Sequence, residues 1–473
     1  MLFPTVEFGL FFLAVLVVAW SAYRVNWLHK LFLLAASYFF YGFWDWHYVP
    51  LLFAISLASA VIAQRIQASE GLRARKLWLV LGVMLCLATL AYYKYTVFAF
   101  TTALDLWSRL GRAPRIRIPS PLLPLGVSFF VFHAISLLMD AYRGKLKERV
   151  RIHDALLYVA FFPQLIAGPI LRASSFLPQL RAHRNPAKIR INRALLLIAA
   201  GLFKKVVVSN LLATRLVEQV FAAPQAYARG DILLAVYGYA AQIYCDFSGY
   251  TDIAIGCAML LGYRFPRNFN APYTATSPQD FWRRWHISLS SWLRDYLYIP
   301  LGGSRGTALR TAANLMITML LGGLWHGAAW TFVAWGALHG FYLVVHRAWT
   351  SIRWWPLALL RCTAMWRWAS RLLVFHAVCL GWVFFRAPSF AIAFTILRRL
   401  AVPGLCTLAT VPVSMALFAG LVGQFQPLRW RRALEFELNG WPAFACGAAF
   451  AAALFVIELL GPSGVAPFIY FRF

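Results

Sequence analysis

Two histidines in unusual company are the residues of this chain best suited to chemistry. His326 stands in LLGGLWHGAAW, inside a run of 36 residues, Thr311 to His346, that holds no Asp, Glu, Lys or Arg. It lies 16 residues after Arg310 and 21 before Arg347. A helix rising about 1.5 Å per residue therefore puts its ring roughly 24 Å from the first flanking charge, at bilayer depth. A titratable ring there costs free energy unless a partner or water meets it, which makes it a functional candidate. With an unperturbed pKa of about 6.5, a neutral imidazole is available as a general base near neutral pH. The bland alternative is a core histidine hydrogen-bonded between helices, with Gly322, Gly323 and Gly327 as packing residues.

His286 sits in a different setting. Ser277, Pro278 and Asp280 read as a helix start, with Ser at the N-cap, Pro at the first helical position and an acid at the third. Trp282, Trp285, Leu289, Trp292, Leu293 and Tyr296 follow at helical spacing, while Arg283, Arg284, Arg294 and Asp295 add charge. The pattern predicts one interfacial helix from Trp282 to Tyr298 that carries His286. Arg283 and Arg284 suit the phosphates of an anionic donor such as a nucleotide-bearing thioester. The competing reading is an anchoring surface helix with an incidental histidine.

Asp246 and Asp252 interrupt the apolar stretch between Asp231 and Arg264. Six residues apart, they lie about 240° around an ideal helix from each other, so they do not act as a pair unless the Ser248–Gly249 step breaks the helix. Each either ties helices together or orients a catalytic imidazole. Trp325 and Asn314 are candidate hydrogen-bond donors to a developing oxyanion. His133, His339, His346 and His376 also lie in apolar surroundings, where a satisfied core role is the usual one. The seven cysteines form neither a close pair nor a metal-ligand pattern, and no metal site is expected.

These residues are carried by membrane segments. Hydrophobic residues make up 61% of the 473 and charged residues 13%, against about 25% charged in a soluble domain. The net charge of +29 is spread between apolar runs, which fits cytoplasmic loops and anionic lipid and excludes a nucleic-acid-binding face. Apolar runs predict an all-α polytopic protein of roughly 11–13 transmembrane or re-entrant helices, with interfacial helices, forming one domain over 1–473 with its core region at 244–340. With the N-terminus outside, most positive loops fall inside, but Arg109, Arg112, Arg115 and Arg117 fall outside.

RRWHISLSSWLRDYLYIPLGG and LGGLWHGAAWTFVAWGALHG together resemble the signature of membrane-bound O-acyltransferases, in the bacterial branch that acetylates alginate, peptidoglycan and cellulose. SYFFYGFWD, PQLIAGPILR, GLFKKVVVSN, YCDFSGYTDIAIG, GWVFFRAPS and the terminal PFIYF extend the resemblance over nearly the whole chain. The family's deep histidine falls on His326 and its second histidine on His286. The resemblance implies a central funnel and a multi-pass protein of the bacterial inner membrane. Acetyl-coenzyme A would be a substrate rather than a tightly bound cofactor, with a periplasmic SGNH-hydrolase-like partner and polysaccharide synthesis machinery beyond it. The polymer stays open between alginate, cellulose and peptidoglycan. A transporter, or a scaffold of a polysaccharide export complex, is the reading that competes with acyl transfer.

Overall fold

Charge-free stretches of this chain fold as helices, because a helix satisfies every backbone N–H and C=O within the segment where no water can. The computed structural model describes residues 1, 3–111, 118–352, 363–462 and 469, and all regular structure among them is helical. Arg112, Arg115, Arg117, Cys362 and all of the terminal PFIYF except Ile469 lie outside the described residues.

Among the described residues, six helical stretches are long and apolar enough to cross a membrane: Asn26–Ala68, Leu72–Arg109, Ile191–Ala222, Ala308–His326, Ala364–Arg386 and Ala443–Leu460. Val6–Ser21, Val127–Tyr142 and Val411–Phe425 are shorter apolar helices. The protein is thus a multi-pass membrane protein. Several apolar runs are more broken than their composition suggests. The run at 153–171 folds as Ile152–Ala160 and Phe162–Leu165, with Pro163 opening the second piece, and 389–425 is interrupted around Pro403 and Gly404. Proline lacks the N–H that would continue a helix, so such breaks follow from its chemistry.

The chain forms two compact units. The first, Met1–Arg190 with Cys257–Pro266, contains α1 (Val6–Ser21), α2 (Asn26–Asp45) and α3 (Val49–Ala68). Its polar interior is a network in which buried Lys30 meets Asp154 at 2.6 Å, and Arg181 lies 3.4 Å from the same carboxylate.

The second unit, Ile191–Gly256 with Arg267–Phe473, carries the candidate site. Its helices include α4 (Ile191–Leu202), most of α5 (Arg229–Leu260), α6 (Pro278–Arg284), α7 (Ile287–Leu293), α8 (Ala308–His326), α9 (Trp330–Ser351), α10 (Ala364–Arg386) and α11 (Ala443–Leu460). α11 exposes Phe444, Phe455 and Leu459, as expected where the surrounding solvent is lipid rather than water. The core of the unit is aromatic. Trp285, Trp335 and Trp382 are all but fully buried, and the Trp285 and Trp382 rings lie 4.9 Å apart.

Candidate active site

The charge-free run becomes two helices, α8 and α9, turned back on each other at Gly327–Ala329. Their backbones approach closely because glycine faces them. A Cβ on Gly323 would sit 2.3 Å from the Phe332 carbonyl oxygen, and one on Gly336 would sit 2.4 Å from that of Met319. His326 is the last residue of α8, at the tip of this hairpin, and only 3% exposed. Its ring is boxed by Trp325 at 4.9 Å, Trp335 at 5.0 Å and Phe385 at 5.3 Å between centroids. Such a box keeps water away from the imidazole and strengthens any electrostatic contact it makes.

The predicted helix start at Ser277 is present, with its hydroxyl accepting from the Asp280 N–H at 3.0 Å. One continuous helix to Tyr298 is not. The chain breaks at Trp285–His286, and His286 adopts the left-handed region at φ +40° before α7 begins. Helical periodicity persists across the break because Trp285, Leu289, Trp292, Leu293 and Tyr296 are buried on either side of it. A non-glycine residue in that conformation costs of order 1–3 kcal/mol and persists only when its surroundings enforce it.

His286 is fully buried. Its Nδ1 lies 3.2 Å from Asn268 Oδ1. Its Nε2 has no hydrogen-bond partner among the described residues, which costs about 1–3 kcal/mol more. Burial pulls this imidazole down to about 3, so it is neutral at physiological pH. Phe247 packs against the ring at 4.5 Å. Trp325 joins the two histidines, with its centroid 6.2 Å from His286 and 4.9 Å from His326.

Two cavities lie at opposite ends of the hairpin. One, of about 450 Å³, is lined at its base by Arg283, Arg294, Arg347, Trp282 and Ser304 and reaches along α8 to Met319. The other, of about 370 Å³, borders the tip at Ala328, Ala329 and Phe332 and is lined further by Gln242, Asp246 and Arg386. Phe385, which packs on His326, is part of its wall.

The remaining predicted residues are divided by their partners. Arg283 faces the larger cavity, whereas Arg284 is held by Asp280 at 2.8 Å and by Thr274 Oγ1 at 3.2 Å. The amide nitrogen of Asn314 donates to the Gly303 carbonyl at 3.0 Å, tying the loop before α8 to the helix. Asp246 forms a buried ion pair with Lys205 and accepts from the Ile469 N–H at 2.8 Å. Asp252 meets Lys204 at 2.5 Å. His339 is buried against Trp335, His346 lines the larger cavity, and His133 belongs to the first unit. Among the described residues, no three His, Cys, Asp or Glu side chains come together as a metal site.

The sequence model described as MBOAT, membrane-bound O-acyltransferase family, matches residues 124–384, more than half of the chain. The chain belongs to the membrane-bound O-acyltransferase family. It is 42% identical over 372 residues to the probable alginate O-acetylase AlgI of Azotobacter vinelandii, covering 77% of this chain and 71% of that protein. Identity to the Pseudomonas aeruginosa protein of the same name is 41% over 366 residues, with coverages of 77% and 68%. The peptidoglycan O-acetyltransferase of Helicobacter pylori is 37% identical over 396 residues, with coverages of 78% and 73%.

Family membership makes the protein an O-acyltransferase and decides against the transport reading. The matched region contains both histidines and every lining residue of the larger cavity. Lys204, Lys205, Asn268, Arg347 and Phe385 are among the site-region residues that sequence reasoning passed over. The two lysines had a readable signal, since adjacent cations in the largely apolar GLFKKVVVSN require buried acids, and Asp246 and Asp252 are two of the three acids of α5. Asn268 had no such signal, because its partner is a corner that periodicity does not reveal.

Proposed function

We propose that the protein transfers an acetyl group from cytoplasmic acetyl-coenzyme A, at or across the bacterial inner membrane, for O-acetylation of an extracytoplasmic polysaccharide of the alginate type. The observation that carries this reading is the position of His326, buried at the hairpin tip beside one cavity while an arginine-lined cavity opens at the hairpin base. Arg283, Arg294 and Arg347 suit the phosphates of coenzyme A. The smaller cavity suits the group that brings the accepting hydroxyl. That relatives are named alginate O-acetylase and peptidoglycan O-acetyltransferase supports acetyl as the group moved and a polysaccharide as its destination.

In this mechanism the accepting hydroxyl gives its proton to the His326 imidazole as its oxygen bonds to the thioester carbonyl carbon. The carbon–sulfur bond then breaks, and the imidazolium returns the proton to the leaving thiolate. An ester and a free thiol result. The aromatic box holds the reactants in a dry space, where positioning supplies much of the acceleration. His286 contributes a second neutral imidazole near the reacting groups. A periplasmic SGNH-hydrolase-like partner and polysaccharide synthesis machinery complete the proposed route.

Purified protein supplied with acetyl-labelled coenzyme A tests the reading. Label leaving coenzyme A for a hydroxyl acceptor, a partner protein or the enzyme itself is the expected result. Folded protein that leaves the label on coenzyme A with every such acceptor overturns it.

A further inference from the structure

The strained corner at His286 is held by one side chain. Asn268 is fully buried, and its Oδ1 accepts from the Ser288 N–H at 3.1 Å and from the Ser288 hydroxyl at 2.9 Å. The same oxygen lies 3.2 Å from His286 Nδ1. The backbone carbonyl of Asn268 accepts from the Ile287 N–H at 2.8 Å, and the Asn270 N–H donates to the Arg284 carbonyl at 2.9 Å. Residues 268–270 thereby pin the chain on both sides of the residue at φ +40°.

These contacts determine where the proton sits. A backbone N–H can only donate, so the atom of Asn268 that faces Ser288 N is its carbonyl oxygen and the amide orientation is fixed. An amide oxygen can only accept, so its approach to Nδ1 requires a proton there; the Ser288 hydroxyl, 3.4 Å from Nδ1, gives its own proton to the same amide oxygen at 2.9 Å, and the lone pair is left on Nε2. That nitrogen is buried and without a partner among the described residues. The side chains around the imidazole, Phe247, Phe269, Trp325, Asn268 and Ser288, carry no charge that would compete for the proton.

We propose that Asn268 is a positioning residue for acyl transfer: it locks His286 in the Nδ1–H tautomer and keeps Nε2 as a proton acceptor in the site that Trp325 shares with His326. The inference rests on the reading that His286 takes part in transfer. Asparagine suits the task because it accepts without bringing a charge that would turn the imidazole into an imidazolium.

The test combines a spectrum with a double-mutant cycle. In full-length protein labelled with 15N-histidine, the signals lost in His286→Asn identify the His286 ring, and they should show a protonated Nδ1 and an unprotonated Nε2. Asn268→Ala should lower kcat by 30-fold or more with less than a threefold change in donor KM. In the His286→Asn background the same substitution should cost less than threefold, because its target is gone. A proton on Nε2 in the wild-type spectrum, or an equal loss in both backgrounds, overturns the role of Asn268. Normal transfer by His286→Asn would instead overturn the reading beneath it. If Asn268→Ala does not survive purification, Asn268→Asp carries the spectral test, with Nδ1 still protonated as the expected result and a proton moved to Nε2 as the overturning one.

Discussion

His326 and Trp335 meet edge to face, with ring centroids 5.0 Å apart and planes at 85°. One ends α8 and the other lies in the second turn of α9, so their contact depends on how closely the two helices approach. Gly323 and Gly336 set that approach. Gly323→Ala and Gly336→Ala should each lower acyl transfer by tenfold or more and reduce the thermal midpoint, as overpacking typically costs 1–3 kcal/mol. Gly447→Ala in α11, where nothing lies within 4 Å of the added Cβ, should be neutral or slightly stabilising. Thermal melting in detergent beside a transfer assay checks the contrast.

The arginines should separate by role. Arg283→Gln and Arg347→Gln should raise the donor KM about tenfold at low salt with little change in kcat, and the gap from wild type should shrink as added salt screens the attraction that the substitution removes. Arg284→Gln should lower the yield of folded protein rather than raise donor KM, since its guanidinium is spent on Asp280 and Thr274. Donor titrations at low and high ionic strength distinguish the two patterns.

Much of this region was legible in the residues, although the reading gave both Arg283 and Arg284 to the donor and did not separate them, and the limit of legibility is physical. Ser277, Pro278 and Asp280 announced the start of α6 through capping chemistry, and the i,i+4 spacing of Asp280 and Arg284 was there to be read. The charge-free run around His326 announced two apolar helices, and the glycines their close packing. The corner at His286 was invisible, because Trp285 and Leu289 are buried whether or not the helix is continuous, and Asn268, 18 residues away, imposes the break. The angular argument kept Asp246 and Asp252 apart, yet their lysines depend on a π-helical stretch, Phe203–Ser209, whose phase an ideal helix does not give.

Those two ion pairs differ in burial, and their removal should differ accordingly. Lys205→Met leaves the Asp246 carboxylate buried without its cation and should cost about 3–5 kcal/mol, part of which Asp246→Leu in the same protein restores. Lys204→Met should cost less, since the side chains of Lys204 and Asp252 are 20% and 27% exposed. Chemical denaturation in detergent ranks the variants.

Acid should expose the buried imidazole of His286. It stays neutral in the fold down to about 3, whereas the unfolded chain takes up a proton below about 6.5. The unfolded state therefore binds more protons across that window, and stability falls as pH falls through it, by up to about 1.4 kcal/mol per unit. His286→Asn, which tolerates the left-handed backbone, removes this contribution. Between pH 7 and 5 its thermal midpoint should fall less than that of the wild type.

The account turns on His326 as the proton acceptor. The most direct measurement is the rate at which purified wild-type and His326→Ala proteins move label from acetyl-coenzyme A to acceptor, with membrane insertion and folding checked in parallel. Loss of a positioned base predicts a fall of about 10² to 10⁴ in rate with folding and insertion retained. A well-folded His326→Ala protein that transfers the label at the wild-type rate would contradict the account.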